Sequence, residues 1–279
     1  MVAVGLATHP TLATLATLAL TTIIFVELKI KNLKIMKLDQ FIASLTKEDL
    51  KEINEKFNQL HGEIPTYSFS QITFKILRNL VEIKPKINAN KFNDWFNNKI
   101  IIDKSEVLFL EKLLIENTFY LDNYPEEDLK IKFISPILSR IHFTDFDKEI
   151  CDFYDRSLSY KTEKFILNGR ADFMVAKGYF YPEEPYFFIQ EFKPSTDANN
   201  PQPQLLAELI AAVELNQLMR IKGAFIIGAV WNFVILEKLN TDKYQYFVSK
   251  NYNGTNLEDL QEIYKNLLLV KQEIFELQR

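Results

Sequence analysis

One stretch of the sequence limits the possible folds more than any other: a short apolar strand pattern, a long helical pattern, and a second strand pattern. They are PYFFIQEFK at 185–193, PQPQLLAELIAAVELNQLMR at 201–220, and GAFIIGAVWNFVILEKL at 223–239. Prolines at the start of the middle segment are typical of a first helical turn. A crossover helix between two strands normally joins a parallel pair, so the sequence predicts a sheet covered by helices.

The flanking segments extend this unit to an α/β domain with a mixed sheet. Residues 123–143 have helical spacing and begin with a proline in the first turn, and residues 148–177 have the alternation of two strands. Residues 243–252 add an aromatic strand, and residues 256–278 close the chain with an amphipathic helix. The predicted order from Tyr124 is α-β-β-β-α-β-β-α.

Composition divides the chain into three regions. Residues 1–35 form an atypical apolar leader, residues 36–121 a helical N-terminal region, and residues 122–279 the α/β domain with its C-terminal helix. The apolar run within the leader, Thr11 to Val26, is shorter than the about 20 apolar residues of a membrane span, and the leader lacks the basic start of a signal peptide. Two hypotheses stay open: translation starts at Met36, or the leader is a membrane anchor.

Composition also excludes several kinds of site. The chain has 7 glycines and no GxGxxG or GxxxxGK[ST] string, which argues against a glycine-loop nucleotide site. Its single cysteine, Cys151, permits no internal disulfide and favours a reducing compartment, for which we expect the cytoplasm. The net charge of −4 gives no overall attraction to nucleic acid, so any such contact must come from local basic groups.

Two acids and a lysine lie in segments otherwise suited to burial. Side chains alternate along a strand, so Glu191 and Lys193 share one side at the end of residues 185–193. A hairpin with the preceding strand would place Asp172 beside Glu191. Neighbouring carboxylates repel, and a cation such as Mg²⁺ or Mn²⁺, which prefers oxygen ligands, removes the conflict. The pattern therefore predicts a metal site with an adjacent lysine, which suits phosphodiester hydrolysis.

This arrangement resembles the PD-(D/E)XK nuclease superfamily, whose restriction-endonuclease-like core has the order α-β-β-β-α-β. The family signature is an acid on the second strand and Glu-x-Lys on the third, and Asp172, Glu191 and Lys193 match it. Ala171 replaces the proline of the signature, which is not a ligand. The resemblance covers about residues 124–239 and implies a nuclease that uses Mg²⁺ or Mn²⁺, with DNA as the expected substrate.

The resemblance also implies how the groups divide their roles. Asp172 and Glu191 are expected to bind the metal together with the main-chain carbonyl of Phe192, and Lys193 to position the attacking water. Many members of the superfamily cut duplexes as dimers, so a homodimer is expected for this chain as well. A membrane contact is expected only if the residues before Met36 belong to the protein.

Two further residues match the superfamily more loosely. Glu127 resembles the acid that these nucleases often carry on an upstream helix. Gln204 resembles the glutamine that starts the helix after the lysine strand in RecB-like relatives. Those relatives often have tyrosine four residues later, where this chain has Glu208.

Each position also has an ordinary structural interpretation. Asp172 follows Asn168-Gly169, a pair typical of hairpin turns, and could be a turn residue. Glu191 and Lys193 could form a weak ion pair at a solvent-exposed strand end. The corresponding alternative function is a non-catalytic module that binds nucleic acid or another protein on a nuclease-like fold.

Overall fold

A nine-stranded mixed sheet organises the described part of the chain. The computed structural model describes residues 64–276 except Ala89 and Ala198, and scattered residues between 44 and 62. The strands are β1 (Thr66–Ser68), β2 (Glu82–Pro85), β3 (Ile150–Lys161), β4 (Ile166–Lys177), β5 (Glu183–Lys193), β6 (Arg220–Ile227), β7 (Val230–Asn240), β8 (Lys243–Val248) and β9 (Tyr252–Asn253). The predicted leader, residues 1–35, lies outside the described residues.

Helices separate the strands at three points, and one more helix follows the last strand. They are α1 (Phe74–Leu80), α2 (Asn93–Phe96), α3 (Lys104–Asn117), α4 (Glu126–Leu129), α5 (Ser135–Ile141), α6 (Gln202–Leu215) and α7 (Leu257–Glu276). A π-helical turn, Lys130–Ile134, joins α4 to α5, so residues 126–141 are helical throughout, as predicted. The predicted α/β class with a mixed sheet is confirmed.

The sheet order is β1-β4-β5-β6-β7-β8-β2, with β3 paired to β4 and β9 paired to β7. Strands β3, β4 and β5 are antiparallel neighbours, and β5 pairs in parallel with β6 after the α6 crossover. The central strand β5 therefore has β4 on one side and β6 on the other.

The prediction of one strand over residues 223–239 was wrong. The structure divides this run into β6 and β7, which pair in an antiparallel hairpin. Gly228 in the connection has φ 57°, a left-handed conformation that glycine adopts without steric cost. Ala229 in this turn is also buried, so the apolar sequence pattern continues from β6 into β7. The sequence pattern therefore gave no sign that the run contains two strands.

Residues 64–121 are not helical throughout, contrary to the prediction for 36–121. They belong to the same compact unit as the rest of the chain up to Arg279. Strand β1 pairs in parallel with β4, and β2 pairs in parallel with β8. Short strands such as these carry too few residues to show a clear alternation, so the surrounding helical pattern dominated the prediction.

Two hydrophobic cores lie on the two faces of the sheet. Phe188 and Phe192 of β5 pack into the core formed with α2 to α5 and α7. Ile189, which points the other way, packs into the core formed with α1 and α6. Helix α6 is buried along most of its length because it fills the crossover between β5 and β6.

Within the described residues, no helix is both long enough and apolar enough to cross a membrane.

We predict that Gly223→Ala destabilises the crossover. A Cβ at Gly223 would lie 2.8 Å from the Ile189 carbonyl oxygen and 2.9 Å from Leu209 Cδ2, so α6 must move away from the sheet. Overpacking of this kind costs about 1–3 kcal/mol. Chemical denaturation should show the loss, whereas Ser159→Ala on the exposed face of β3 should leave the unfolding free energy nearly unchanged. Equal stability of the two variants would contradict the proposed close approach.

Candidate functional site

Asp172 and Glu191 meet at the end of the β4–β5 hairpin. The register pairs Phe173 with Gln190, so the next positions outward are Asp172 and Glu191. The main-chain N–H of Phe192 donates a hydrogen bond of 2.8 Å to Asp172 Oδ2. Because Asp172 lies inside β4, its interpretation as a turn residue was wrong.

Lys193 connects the strand end to the preceding helix. Its Nζ donates to Glu191 Oε1 at 2.9 Å and to the Phe192 carbonyl at 3.1 Å. It also lies 3.5 Å from Glu126 Oε2. Glu191 is 1% exposed, so the interpretation of a solvent-exposed ion pair was wrong for this carboxylate.

Helix α4 and the π-helical turn after it supply another acid and a second lysine. Pro125 precedes the helix, and Glu126 and Lys130 lie one turn apart on the same side. Lys130 starts the π-helical turn, and its Nζ lies 3.1 Å from Asp172 Oδ1. Each carboxylate of the strand pair therefore has a lysine ammonium as its partner.

Helix α6 brings a further carboxyl group, that of Glu208, toward Asp172 and Glu191. This helix packs on the sheet face opposite to α4 and α5. Gln204 Nε2 donates to Glu208 Oε1 at 3.2 Å, and Glu208 is fully buried. The other oxygen, Glu208 Oε2, has no hydrogen-bond partner among the described residues, and the same holds for Glu191 Oε2. Buried polar atoms without hydrogen-bond partners are rare and destabilising. Protonation of these carboxyl groups, or a bound cation, would therefore stabilise this part of the core.

Burial and neighbouring negative charges raise the pKa of both Glu191 and Glu208. Burial, followed by the charge of Asp172, raises the pKa of Glu191 to about 8. Burial, followed by the charge of Glu191, raises the pKa of Glu208 well above its usual value. Burial alone would lower the pKa of Lys193, but the charges of Glu191, Asp172 and Glu126 outweigh it and raise that pKa. The surroundings therefore favour the charged form of the lysine and oppose ionisation of the two most deeply buried carboxyl groups.

A cleft of about 480 Å³ opens beside these groups. Glu126, Lys193 and Gln204 line it together with residues of the segment from Ser70 to Phe74 and of the loop after β5. A larger cavity of about 630 Å³ lies near the end of β8 and is lined by Phe92, Phe247 and Lys250 among others. We place the candidate site at the smaller cleft because Lys193 and Glu126 of the titratable cluster line it.

The structure brings together most of the predicted site residues. Asp172, Glu191, Lys193 and the Phe192 carbonyl are adjacent, and Gln204 reaches the same corner through Glu208.

Glu127 is the exception, because the acid that approaches Lys193 is its neighbour Glu126. Sequence reasoning also missed Lys130. Helical spacing indicates that Glu126 and Lys130 share a helix face and that Glu127 is rotated away from it, but it does not indicate which face meets the strands.

The oxygen atoms of the strand pair are of the ligand type that Mg²⁺ and Mn²⁺ prefer. The described residues contain no group of three or more His, Cys, Asp or Glu side chains placed to hold a metal. Two carboxylates and the Phe192 carbonyl form a smaller, oxygen-only set, which suits these hard cations. The unpartnered Glu191 Oε2 is a buried acceptor that such an ion would satisfy.

Comparison with known proteins finds no family model that matches this chain and no curated protein significantly similar to it.

We predict that the unfolding free energy falls as the pH rises from about 4.5 to about 8 without divalent cations. Glu191 has the higher pKa in the folded state, so its protonated form favours folding below this range and the advantage is lost through it. Denaturation at pH 5.5, 7 and 8.5 should show a smaller fall for Glu191→Gln. Glu106 has its pKa lowered by Arg140, so Glu106→Gln should keep the fall. Equal slopes for wild type and Glu191→Gln would exclude the shift.

We also predict that Lys130→Met strengthens Mg²⁺ binding. The ammonium of Lys130 occupies Asp172 Oδ1, and a bound cation would compete with it for this oxygen. Calorimetric Mg²⁺ titration should give a lower Kd for this variant than for wild type. Lys132→Met is the matched control, because Lys132 pairs with Asp128 at the surface. A Kd that rises in Lys130→Met would mean that the lysine supports metal binding instead.

Proposed function

We propose that this chain is a Mg²⁺- or Mn²⁺-dependent nuclease that hydrolyses phosphodiester bonds in DNA. The observation that carries the proposal is the meeting of Asp172, Glu191 and Lys193 at one strand end. Asp172 and Glu191 come from adjacent strands, and Lys193 lies on the edge of an open cleft. Isolated [DE]-x-K strings carry no such weight, because they occur by chance in many helices.

The order of elements supports a restriction-endonuclease-like core. Helix α5, strands β3 to β5, helix α6 and strand β6 follow the order α-β-β-β-α-β. The three acid and lysine positions fall on the second and third of these strands, where the PD-(D/E)XK resemblance expects them. Membership of this superfamily is part of the proposal, and a homodimer remains an expectation from the resemblance.

The chemistry requires water to form a bond to phosphorus while the bond from phosphorus to the leaving oxygen breaks. A bound Mg²⁺ would supply Lewis-acid activation of the water and of a phosphate oxygen, held by Asp172, Glu191 and the Phe192 carbonyl. Lys193 lines the cleft, and its ammonium can orient the water or offset negative charge growing on the phosphate oxygens. The proton released by the water passes to solvent, and the leaving oxygen takes up another.

Glu126 and Gln204 line the cleft and position other side chains of the site. Glu126 fixes Lys193 Nζ from the helix side, and Gln204 holds the carboxyl of Glu208 against the strand pair. Each is a positioning residue in this proposal, because each acts through another side chain.

A second candidate is the non-catalytic binding module, and one observation favours it. Lys130 and Lys193 already form ion pairs with Asp172 and Glu191, so each of these carboxylates has a cationic partner without a metal. Ion pairs of this kind also occur as purely structural features of protein interiors. Activity measurements decide between the candidates.

We predict metal-dependent cleavage of DNA that is lost in Lys193→Met. The purified full chain is incubated with plasmid and with single-stranded DNA in Mg²⁺, Mn²⁺ or EDTA. Loss of a group that touches the reacting atoms typically lowers the rate by about 100-fold or more. Lys164→Met, which removes a lysine of the surface pair with Asp242, should cut at the wild-type rate.

The opposite result is equally informative. Wild type that stays inert with every metal, while circular dichroism shows it folded, would favour the binding module. Cleavage that persists in Lys193→Met at the wild-type rate would move the active site elsewhere.

A further inference from the structure

Two exposed aromatic side chains lie in the segment that leads into α4. Phe119 is 84% exposed and Tyr120 is 53% exposed, in the short connection after α3. Their rings meet edge to face with centroids 5.1 Å apart. Large aromatic side chains are normally among the most buried surface in a domain, so an exposed pair is a candidate for binding.

Contacts within the protein fix this pair beside the site. The ring of Tyr120 stacks on that of Tyr124, with centroids 6.1 Å apart and planes 17° apart. Tyr124 is followed closely by Glu126, whose carboxylate approaches Lys193. From the other side, Ser195 Oγ donates a 2.7 Å hydrogen bond to the carbonyl of Asp122. The loop after β5 and the aromatic segment are therefore joined directly.

A second concave surface lies next to the aromatic pair. A cavity of about 460 Å³ is lined by Tyr124, Ile131 and Lys132 among others. Lys132 Nζ lies 5.2 Å from the centre of the Tyr124 ring, and Ile131 is 64% exposed. Lys132 and Lys112, which also lines the cavity, belong to surface ion pairs with Asp128 and Glu116.

We propose that Phe119 and Tyr120 form a stacking platform for unpaired nucleobases, so that the strand presented to the site is single-stranded DNA. As a statement about the substrate, this proposal rests on the proposed nuclease function. The binding itself does not, because stacking needs neither the metal nor the reaction. Base stacking on aromatic side chains is a general route to sequence-tolerant single-strand binding.

The local charge indicates how binding is divided between bases and phosphates. Lys112 and Lys132 each have a carboxylate partner, so the platform attracts phosphates only weakly. If both lysines contact phosphates, the slope of log K against log salt is roughly −1.4 for a single strand, and it is shallower if they do not. Steep salt dependence would instead indicate a binding surface made of cations.

The test measures the binding of fluorescent oligodeoxythymidylate and of a blunt duplex by anisotropy, with full-length protein in EDTA. Alanine at a stacking position typically weakens single-strand binding by roughly 5- to 150-fold. Phe119→Ala and Tyr120→Ala should both show this loss, and Tyr120→Phe should restore binding because it keeps the ring. Phe180→Ala is the matched control, since Phe180 is 81% exposed on the β4–β5 connection.

Each outcome has a defined meaning. Loss in Phe119→Ala and Tyr120→Ala, with Phe180→Ala and Tyr120→Phe binding normally, supports the platform. The platform is rejected if the wild-type protein does not bind the single strand, or if Phe180→Ala weakens that binding as much as Phe119→Ala and Tyr120→Ala do. Platform-dependent binding without any cleavage in Mg²⁺ or Mn²⁺ would reject the nuclease function and leave the platform standing.

Discussion

The arrangement of the site depends on one unfavourable interaction, the approach of Asp172 to the buried carboxyl of Glu191. Desolvation and the charge of Asp172 both oppose ionisation of Glu191. Lysines from two different elements form ion pairs with the two carboxylates. Lys193 comes from the same strand, whereas Lys130 comes from the π-helical turn after α4. The helix is thus held at the strand ends by charge as well as by its apolar face. Buried ion pairs add little net stability, but their directional hydrogen bonds specify one arrangement.

Two sheet faces contribute to a site that lies at one sheet end. The core with α4 and α5 brings Glu126 and Lys130, and the core with α6 brings Gln204 and Glu208. A strand end between two such layers can collect side chains from both without exposing either core. The open cleft sits where the helices leave room at this end.

Much of this arrangement was predictable from sequence because it follows local periodicity. The alternation in 185–193 correctly separated Glu191 and Lys193 from Phe192, and the hairpin with β4 placed Asp172 beside them. What sequence could not predict depended on distant partners. The pairing of β1 with β4, and of β2 with β8, joins residues far apart in the chain and leaves almost no local pattern. The choice between Glu126 and Glu127 required the rotation of α4 about its axis, which packing decides.

The hydrogen bond between Ser195 and the carbonyl of Asp122 has a consequence for geometry along a bound strand. It links the segment that carries Phe119 and Tyr120 to the loop that follows Lys193. If a base rests on that aromatic pair, its distance from the reacting phosphate is set by the protein and not by the flexible strand. The chain would then act as a molecular ruler, cutting at a constant nucleotide offset from an unpaired base whatever the sequence.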